Sequence, residues 1–439
     1  MRPATKDAPV SIRLQPERYK WRIISLLFFA MMINYVDRNV MSFVMVNDDF
    51  KRTLLGLRPI DPLGAAELAR FKEIIGLADM VFKIAYASGF LLVGWLIDKL
   101  GTYRGFKWAV GVWSIAAMAH TAITGAWGLM AARFTLGLGE AGGMPTAIKT
   151  ISEWFPQSER SLATGILNAG VNVGILITAS LVPFLVESFG WRVAFLVTGS
   201  LGIVTFFLWK AMYHPYPVPS GTLPPPPIRV SWGTLLRLRQ TWVYAAGKFL
   251  TDPVWWFFLT WLPTFFNENK HFAEPIDLKN LTGPFLIIYF ISDIGSVFFG
   301  WLATSLQKRG WSANLARKST LLLTALCVVP IFLVSTTTDI AFAVALLSLA
   351  TAGHQGWSSN LQTLPSDLFP QEVVGSVSGI GATFGAIGGI LLAGASGFII
   401  NRYGYAPLFM GASVAYLLAW LVLVVSLPKL RPVRLDFFH

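Results

Sequence analysis

Asp37 and Arg38 interrupt an apolar run that extends from about residue 20 to about 47, and Arg133 and Glu140 interrupt another from about 128 to about 153. Placing charge in hydrocarbon costs about 3 kcal/mol or more, so ionisable groups within such runs mark function. Asp37 and Arg38 fall about 15 residues into their run, roughly 22 Å along a helix and close to mid-membrane. Adjacent helical positions point about 100° apart, which lets the two side chains address different neighbours. Arg38 is a permanent cation whose planar fork suits a carboxylate, whereas Asp37 can be neutralised by a proton. These types predict that Arg38 holds an anionic solute and that Asp37 takes part in proton exchange; an inter-helix salt bridge is the alternative.

Arg133 and Glu140 are seven residues apart, two helical turns, and share one face. A buried glutamate whose cationic neighbour is taken by an incoming anion gains proton affinity, so this face is expected to look into a binding cleft, with Glu140 as the proton carrier. A structural Arg/Glu network is the alternative. Lys83 and Lys248 are candidate second cations, although Asp79 and Asp252 stand four residues from them and can neutralise them. A hydroxylated solute also needs hydrogen bonds and an aromatic face, since an unpaired buried hydroxyl is costly. Tyr35, Tyr86, Asn172, Trp256, Gln355, Trp357, Ser358 and Asn360 supply that mixture; the amides serve equally as polar glue between helices.

Positioning these residues requires membrane helices. Of the 439 residues 54% are hydrophobic and only 13% charged, which argues against a water-soluble fold. Twelve spans are predicted near 20–47, 71–97, 107–127, 128–153, 160–187, 191–213, 241–267, 282–305, 318–336, 338–364, 373–400 and 405–427. The net charge of +12 reflects basic residues at span edges, not a nucleic-acid-binding stripe. Putting both termini in the cytoplasm places most of the 35 basic residues there, as the positive-inside bias demands. Arg13, Arg18, Lys20 and Arg22 precede the first run in the manner of a signal peptide, but its length and its charges read as an uncleaved helix.

A duplication organises the chain. Phe155-Pro156-Gln157 returns as Phe369-Pro370-Gln371 at an offset of 214, and the same offset pairs Gly165 with Gly379, Gly190 with Gly404 and Glu140 with His354. Histidine titrates near neutrality, so His354 is expected either in a proton relay or as a neutral hydrogen-bonding group. The proline-rich stretch 214–240, with Pro224 to Pro227, reads as a cytoplasmic linker between six-helix bundles at 1–213 and 241–439. Two such repeats related by an axis along the membrane normal enclose a central cleft.

The loop Gly94-Trp95-Leu96-Ile97-Asp98-Lys99-Leu100-Gly101-Thr102-Tyr103-Arg104-Gly105 resembles the signature of the major facilitator superfamily, with lysine in place of the usual arginine. That resemblance implies a cytoplasmic charge latch and a gating role for Asp98 and Arg104. Asn34-Tyr35-Val36-Asp37-Arg38-Asn39 and Arg133 to Gly142 are similar to the anion:cation symporter family, as are Ala147-Ile148-Lys149-Thr150 and His354-Gln355-Gly356-Trp357-Ser358, which are most similar to its hexuronate branch. The resemblance covers essentially the whole chain. It implies coupling roles for the arginine and glutamate of span four and places Tyr35, Tyr86 and Trp357 around a sugar acid.

The expectation is therefore an all-α membrane protein of the major facilitator fold that moves a sugar-acid anion, a hexuronate or else an aldonate or aldarate, together with protons across a bacterial inner membrane. No nucleophile elbow or metal-ligand helix points to an enzyme, and Cys327 alone forms neither an intramolecular disulfide nor a cysteine-based metal site. No metal, cofactor or nucleic acid is expected, and the chain is expected to act as a monomer.

Overall fold

The computed structural model describes residues 16–215, 230–268 and 282–433. In chain order the helices are α1 Pro16–Val44, α2 Asp48–Leu55, α3 Ala65–Leu100, α4 Thr102–Ala119, α5 Ala126–Glu140, α6 Gly143–Trp154, α7 Arg160–Phe189 and α8 Trp191–Met212. They continue as α9 Trp232–Arg237, α10 Arg239–Glu268, α11 Thr282–Lys308, α12 Ala313–Val328, α13 Ile340–Leu361, α14 Leu364–Leu368, α15 Val374–Tyr403 and α16 Ala406–Ser426. No strand occurs among the described residues. Helices are what a lipid core allows, because they satisfy every backbone N–H and C=O within one segment.

Among the described residues nine helical segments are long and apolar enough to cross a membrane. The helix α4, the pair α5 and α6, and the helix α10 complete the expected twelve. Span four departs from the single helix expected over 128–153: it is interrupted at Ala141–Gly142. Pro145 lacks the N–H that would bond the carbonyl of Ala141, so the ladder breaks directly after Glu140. Pro253 likewise withholds its N–H, from the carbonyl of Phe249, but α10 continues through it. Two further differences concern connections. The stretch after span one forms the amphipathic helix α2, capped by Asn47 through Phe50 N. Within the expected linker 214–240 residues 232–237 are helical, while Pro224 to Pro227, like Arg13, lie outside the described residues.

The duplication is visible in the helices themselves. Extended Pro156 and Pro370 each lead into a short 3-10 turn, followed by α7 and α15, both 30 residues long. Gly190 and Gly404 end these helices with φ of 87° and 71°, a left-handed conformation that favours glycine. Buried side chains separate in the same way: two apolar clusters draw on residues 19–213, joined only by Val374 from the second half, and a third spans 235–427. The two sets of helices meet along α7 with α11 and along α3 with α15. At the second seam Gly94 faces Gly375 so closely that a Cβ would come 2.6 Å from its carbonyl oxygen. Small residues permit this approach, which dispersion rather than the hydrophobic effect rewards in lipid.

Candidate functional site

A cavity of about 120 Å³ lies between the two sets of helices. Tyr35 and Arg38 of α1 and Tyr86 and Phe90 of α3 form one wall; Lys248, Asp252, Trp255 and Trp256 of α10 and His354, Gln355 and Ser358 of α13 form the other. Arg38 is sandwiched between the rings of Tyr35 and Tyr86, each 4.4 Å from its guanidinium carbon. Its Nε donates to Glu140 Oε2 at 2.7 Å and its Nη2 to Asn34 Oδ1 at 3.3 Å. Glu140 is wholly buried, and its second carboxylate oxygen has no hydrogen-bond partner. The arrangement offers a solute carboxylate a cation whose present partner can be neutralised by a proton.

The facing wall carries a second ion pair, Lys248 Nζ to Asp252 Oδ2 at 2.6 Å. Beside it the His354 ring lies flat on Trp255, with centroids 4.9 Å apart and planes 3° from parallel. Its Nδ1 shares a 2.5 Å hydrogen bond with the Tyr416 hydroxyl. This fixes the ring as an oriented hydrogen-bonding group. Asn168 Nδ2 reaches Ser358 Oγ at 3.3 Å across the cavity floor.

One end of the molecule is sealed. Asp98, at the end of α3, accepts from Lys149 Nζ at 2.7 Å, from the N–H of Gly375 at 3.0 Å, and from both the N–H and the hydroxyl of Ser376 at 2.6 Å. A carboxylate is thereby held at the positive N-terminus of α15, in the other set of helices. A second latch mirrors it at the N-terminus of α7. Arg317 is fully buried, donates to Asp367 at 2.9 Å and to the carbonyl of Gln157 at 3.0 Å, and also bonds Ser161 Oγ. Arg160 bonds the carbonyl of Ser366, and Gln371 donates to that of Ser152 at 3.0 Å. Glu159 adds a bridge from Lys20 at 2.6 Å to Lys308 at 3.0 Å. At the opposite end a larger cavity, about 830 Å³, stands beside Lys51, Lys72, Asp79, Lys83 and Arg133.

A sealed end, a roomier opposite end and a polar cavity between two repeated helix sets are the arrangement expected of a transporter built from parallel repeats. Residues 27–393 match the family model described as Major Facilitator Superfamily. The chain belongs to the Major Facilitator Superfamily. Among curated superfamily members it is similar to the D-galactonate transporter of Escherichia coli O6:H1, 25% identical over 97% of this chain and 100% of that protein. The hexuronate transporter of Escherichia coli K12 is 27% identical over 92% and 93%, and the probable galactarate/D-glucarate transporter of Bacillus subtilis 28% over 92% and 92%. These relatives are transporters, not enzymes. Among solved structures the Escherichia coli fucose:proton symporter superposes with a TM-score of 0.72 at 13% identity, covering 92% of this chain and 98% of that one. The proton:xylose symporter does so with 0.71 at 13% identity, covering 94% and 97%. These likenesses establish the fold of a multi-pass membrane protein.

Within this superfamily frame the structure gathers Tyr35, Arg38, Tyr86, Lys248, Trp256, His354, Gln355 and Ser358 around one cavity. Others are placed elsewhere. Trp357 is 1% exposed and packs edge-on against Tyr416, because on α13 it is rotated about 200° from Gln355 and so points away from the cavity. Asn360, rotated likewise from Ser358, bonds Ser161 Oγ and the carbonyls of Phe299 and Gly356. Lys83 pairs with Asp79 at 2.7 Å, and both Lys83 and Arg133 line the larger end cavity. Arg133 makes no ion pair among the described residues; its guanidinium stands 5.1 Å from the Phe82 ring, and the partner of Glu140 is Arg38.

Asp37 is 2% exposed and faces α8 near Thr198, not the cavity. Asn172 lies one layer behind, bonded to Asp293 and Gln355. Arg104 is exposed and takes no part in the latch, where Lys149, Arg160 and Arg317 supply the cations. Sequence reasoning missed Arg317, gave Asp367 no role and missed Asp293. The offset of 214, which pairs Glu153 with Asp367, carried a signal for the second of these.

Proposed function

We propose that this transporter takes up a sugar-acid anion, a hexuronate such as galacturonate or glucuronate, together with protons by alternating access. The observation that carries this reading is the Arg38–Glu140 pair at the cavity wall. A solute carboxylate that binds Arg38 competes with Glu140; the displaced glutamate, alone in a dry interior, takes up a proton, and the neutral acid no longer holds the arginine. Solute and proton then depend on each other. The tyrosines, His354, Gln355 and Ser358 would read the hydroxyls. The names of the relatives, a D-galactonate, a hexuronate and a probable galactarate/D-glucarate transporter, support a sugar acid as the class.

A second reading, an aldarate, is favoured by Lys248 on the facing wall, which suits a second carboxylate. In the proposed topology the sealed end is cytoplasmic, with both termini, in a bacterial plasma membrane; the cavity is then poised to open outward. Residues 1–213 and 241–439 form the two rocking bundles, Asp98 acts as the gate, and the monomer is the working unit. Counterflow of labelled galacturonate, glucuronate, galactonate and glucarate in proteoliposomes tests the reading, with Arg38→Ala as control. Competition by a hexuronate in counterflow, and alkalinisation outside the vesicles during net uptake of that hexuronate, are the expected results; competition by none of the four overturns the reading.

A further inference from the structure

Asp293 is the only acidic residue of α11, eleven positions from its first residue in an otherwise apolar stretch, and the proposed mechanism leaves it unused. Its Oδ1 accepts from Asn172 Nδ2 at 2.5 Å. Asn172 Oδ1 in turn accepts from Gln355 Nε2 at 3.5 Å, and Gln355 lines the cavity. This chain of amides crosses between the two sets of helices twice, from α13 to α7 and from α7 to α11.

No cation pairs with Asp293 among the described residues. The helix α7 carries charge only at Arg160 and Glu187, twelve and fifteen positions from Asn172; α12 carries it at Arg317 and Lys318, which bond Asp367 and the carbonyls of Leu427 and Pro428. Glu159 of the adjoining turn is held by Lys20 and Lys308, and His354, the one titratable group of α13, is bonded to Tyr416. From α10, Lys248 and Asp252 pair with each other. An ionised carboxylate in this setting has the Asn172 amide as its support, and a proton is the remaining means of neutralising it.

We infer that Asp293 is a proton-binding site of the transport cycle, separate from Glu140, which ties α7 to α11 while ionised, loosens that seam when protonated, and senses the cavity through Asn172 and Gln355. The ionised form accepts a charge-assisted bond from Asn172, and the neutral acid accepts only an ordinary one, about half as strong. Directly beside this contact α7 and α11 are packed tightly, with Ser296 Oγ donating to the carbonyl of Gly165 at 3.0 Å, so the tie sits where rocking must part the helices.

The inference rests on the proton-symport reading, and two measurements on the full-length protein separate their failures. In proteoliposomes the proton-to-galacturonate ratio, taken from reversal potentials, is expected to fall in Asp293→Asn and in Asn172→Ala and to be restored in Asp293→Glu. An unchanged ratio in Asn172→Ala, which keeps the acid and removes its link, overturns the inference even if Asp293→Asn does not assemble. A substrate-free readout stands beside it: Ser296→Cys in a Cys327→Ser background, labelled with a thiol reagent. Labelling, divided at each pH by the rate of the same reagent with a free thiol because only the thiolate reacts, is expected to rise about tenfold between about pH 8 and about pH 5, and to lose that pH dependence with Asp293→Asn added. A flat profile before Asp293 is changed, or an unaltered one after, overturns it. Absence of proton-driven uptake by the unmodified protein sinks the symport reading instead, and leaves the labelling result standing.

Discussion

Arg38 of α1 donates to Glu140, the last residue of α5, while its guanidinium is held between Tyr35 and Tyr86. The bond joins the two ionisable groups on which both halves of the proposed symport depend: one is permanently charged and reaches the cavity, the other is wholly buried and able to become neutral. Break of the helix directly beyond Glu140, where Pro145 withholds its N–H, leaves this carboxylate at a helix end and not mid-helix.

Replacement of Glu140 by Gln mimics the protonated acid. Galacturonate counterflow, which needs no net proton movement, is expected to persist within about threefold, whereas accumulation driven by a pH gradient falls about tenfold or more. Equal loss of both activities contradicts the assignment of the proton to Glu140.

Arg38→Ala leaves a buried carboxylate without its cation and removes the anion's anchor. Loss of a charge-assisted bond of about 1.5–3 kcal/mol corresponds to about 10- to 100-fold weaker binding. Isothermal titration with galacturonate measures it; affinity unchanged in Arg38→Ala places the anion elsewhere.

The gate is addressed by Asp98→Ala. Four bonds to Lys149, Gly375 and Ser376 are lost at once, and the sealed end is expected to open more often. A cysteine introduced for Ser152, which sits inside that seal and whose carbonyl accepts from Gln371, reports the opening as thiol labelling about tenfold faster or more. Arg104→Ala, at an exposed position outside the latch, is expected to leave the labelling rate within about twofold.

Close approach at the α3–α15 seam gives an opposite handle on the same gate. Gly94→Val puts a branched side chain against the backbone of Gly375 and Gly379, which nothing flexible can relieve. The variant is expected to hold the sealed end open and to lose transport, with labelling at position 152 as fast as in Asp98→Ala.

Tyr416→Phe removes the hydroxyl that orients His354, and Trp255→Ala removes the surface on which the ring rests. Each is expected to weaken solute affinity about 3- to 30-fold while leaving the proton-to-solute ratio intact, on the reading of His354 as a hydrogen-bonding group and not a proton carrier. A changed ratio would restore His354 to the proton path.

Some of this protein is written in local sequence. Long apolar runs dictate helices because lipid offers the backbone no partner outside its own segment, and the 214-residue offset dictates two equivalent helices, which emerge as α7 and α15 with equal lengths and left-handed glycine ends. Charges stranded in those runs mark Arg38, Glu140 and Lys248 for the same reason: their desolvation cost is a property of the stretch that contains them. Partnership is a different matter. That Arg38 takes Glu140, 102 residues away, while Arg133 on the same helix as Glu140 lines the far cavity, depends on how α1, α3 and α5 are rotated about their axes when packed. The same rotation turns Trp357 into the protein interior and Gln355 toward the cavity. Asp98 finds its partners 277 and 278 positions on, and Asp293 meets Asn172 across the seam, only because two sets of helices press together there. Helical periodicity is a one-chain quantity, legible along the sequence; the phase of one helix against another is set by side-chain packing and backbone approach between distant segments, and tertiary structure alone decides it.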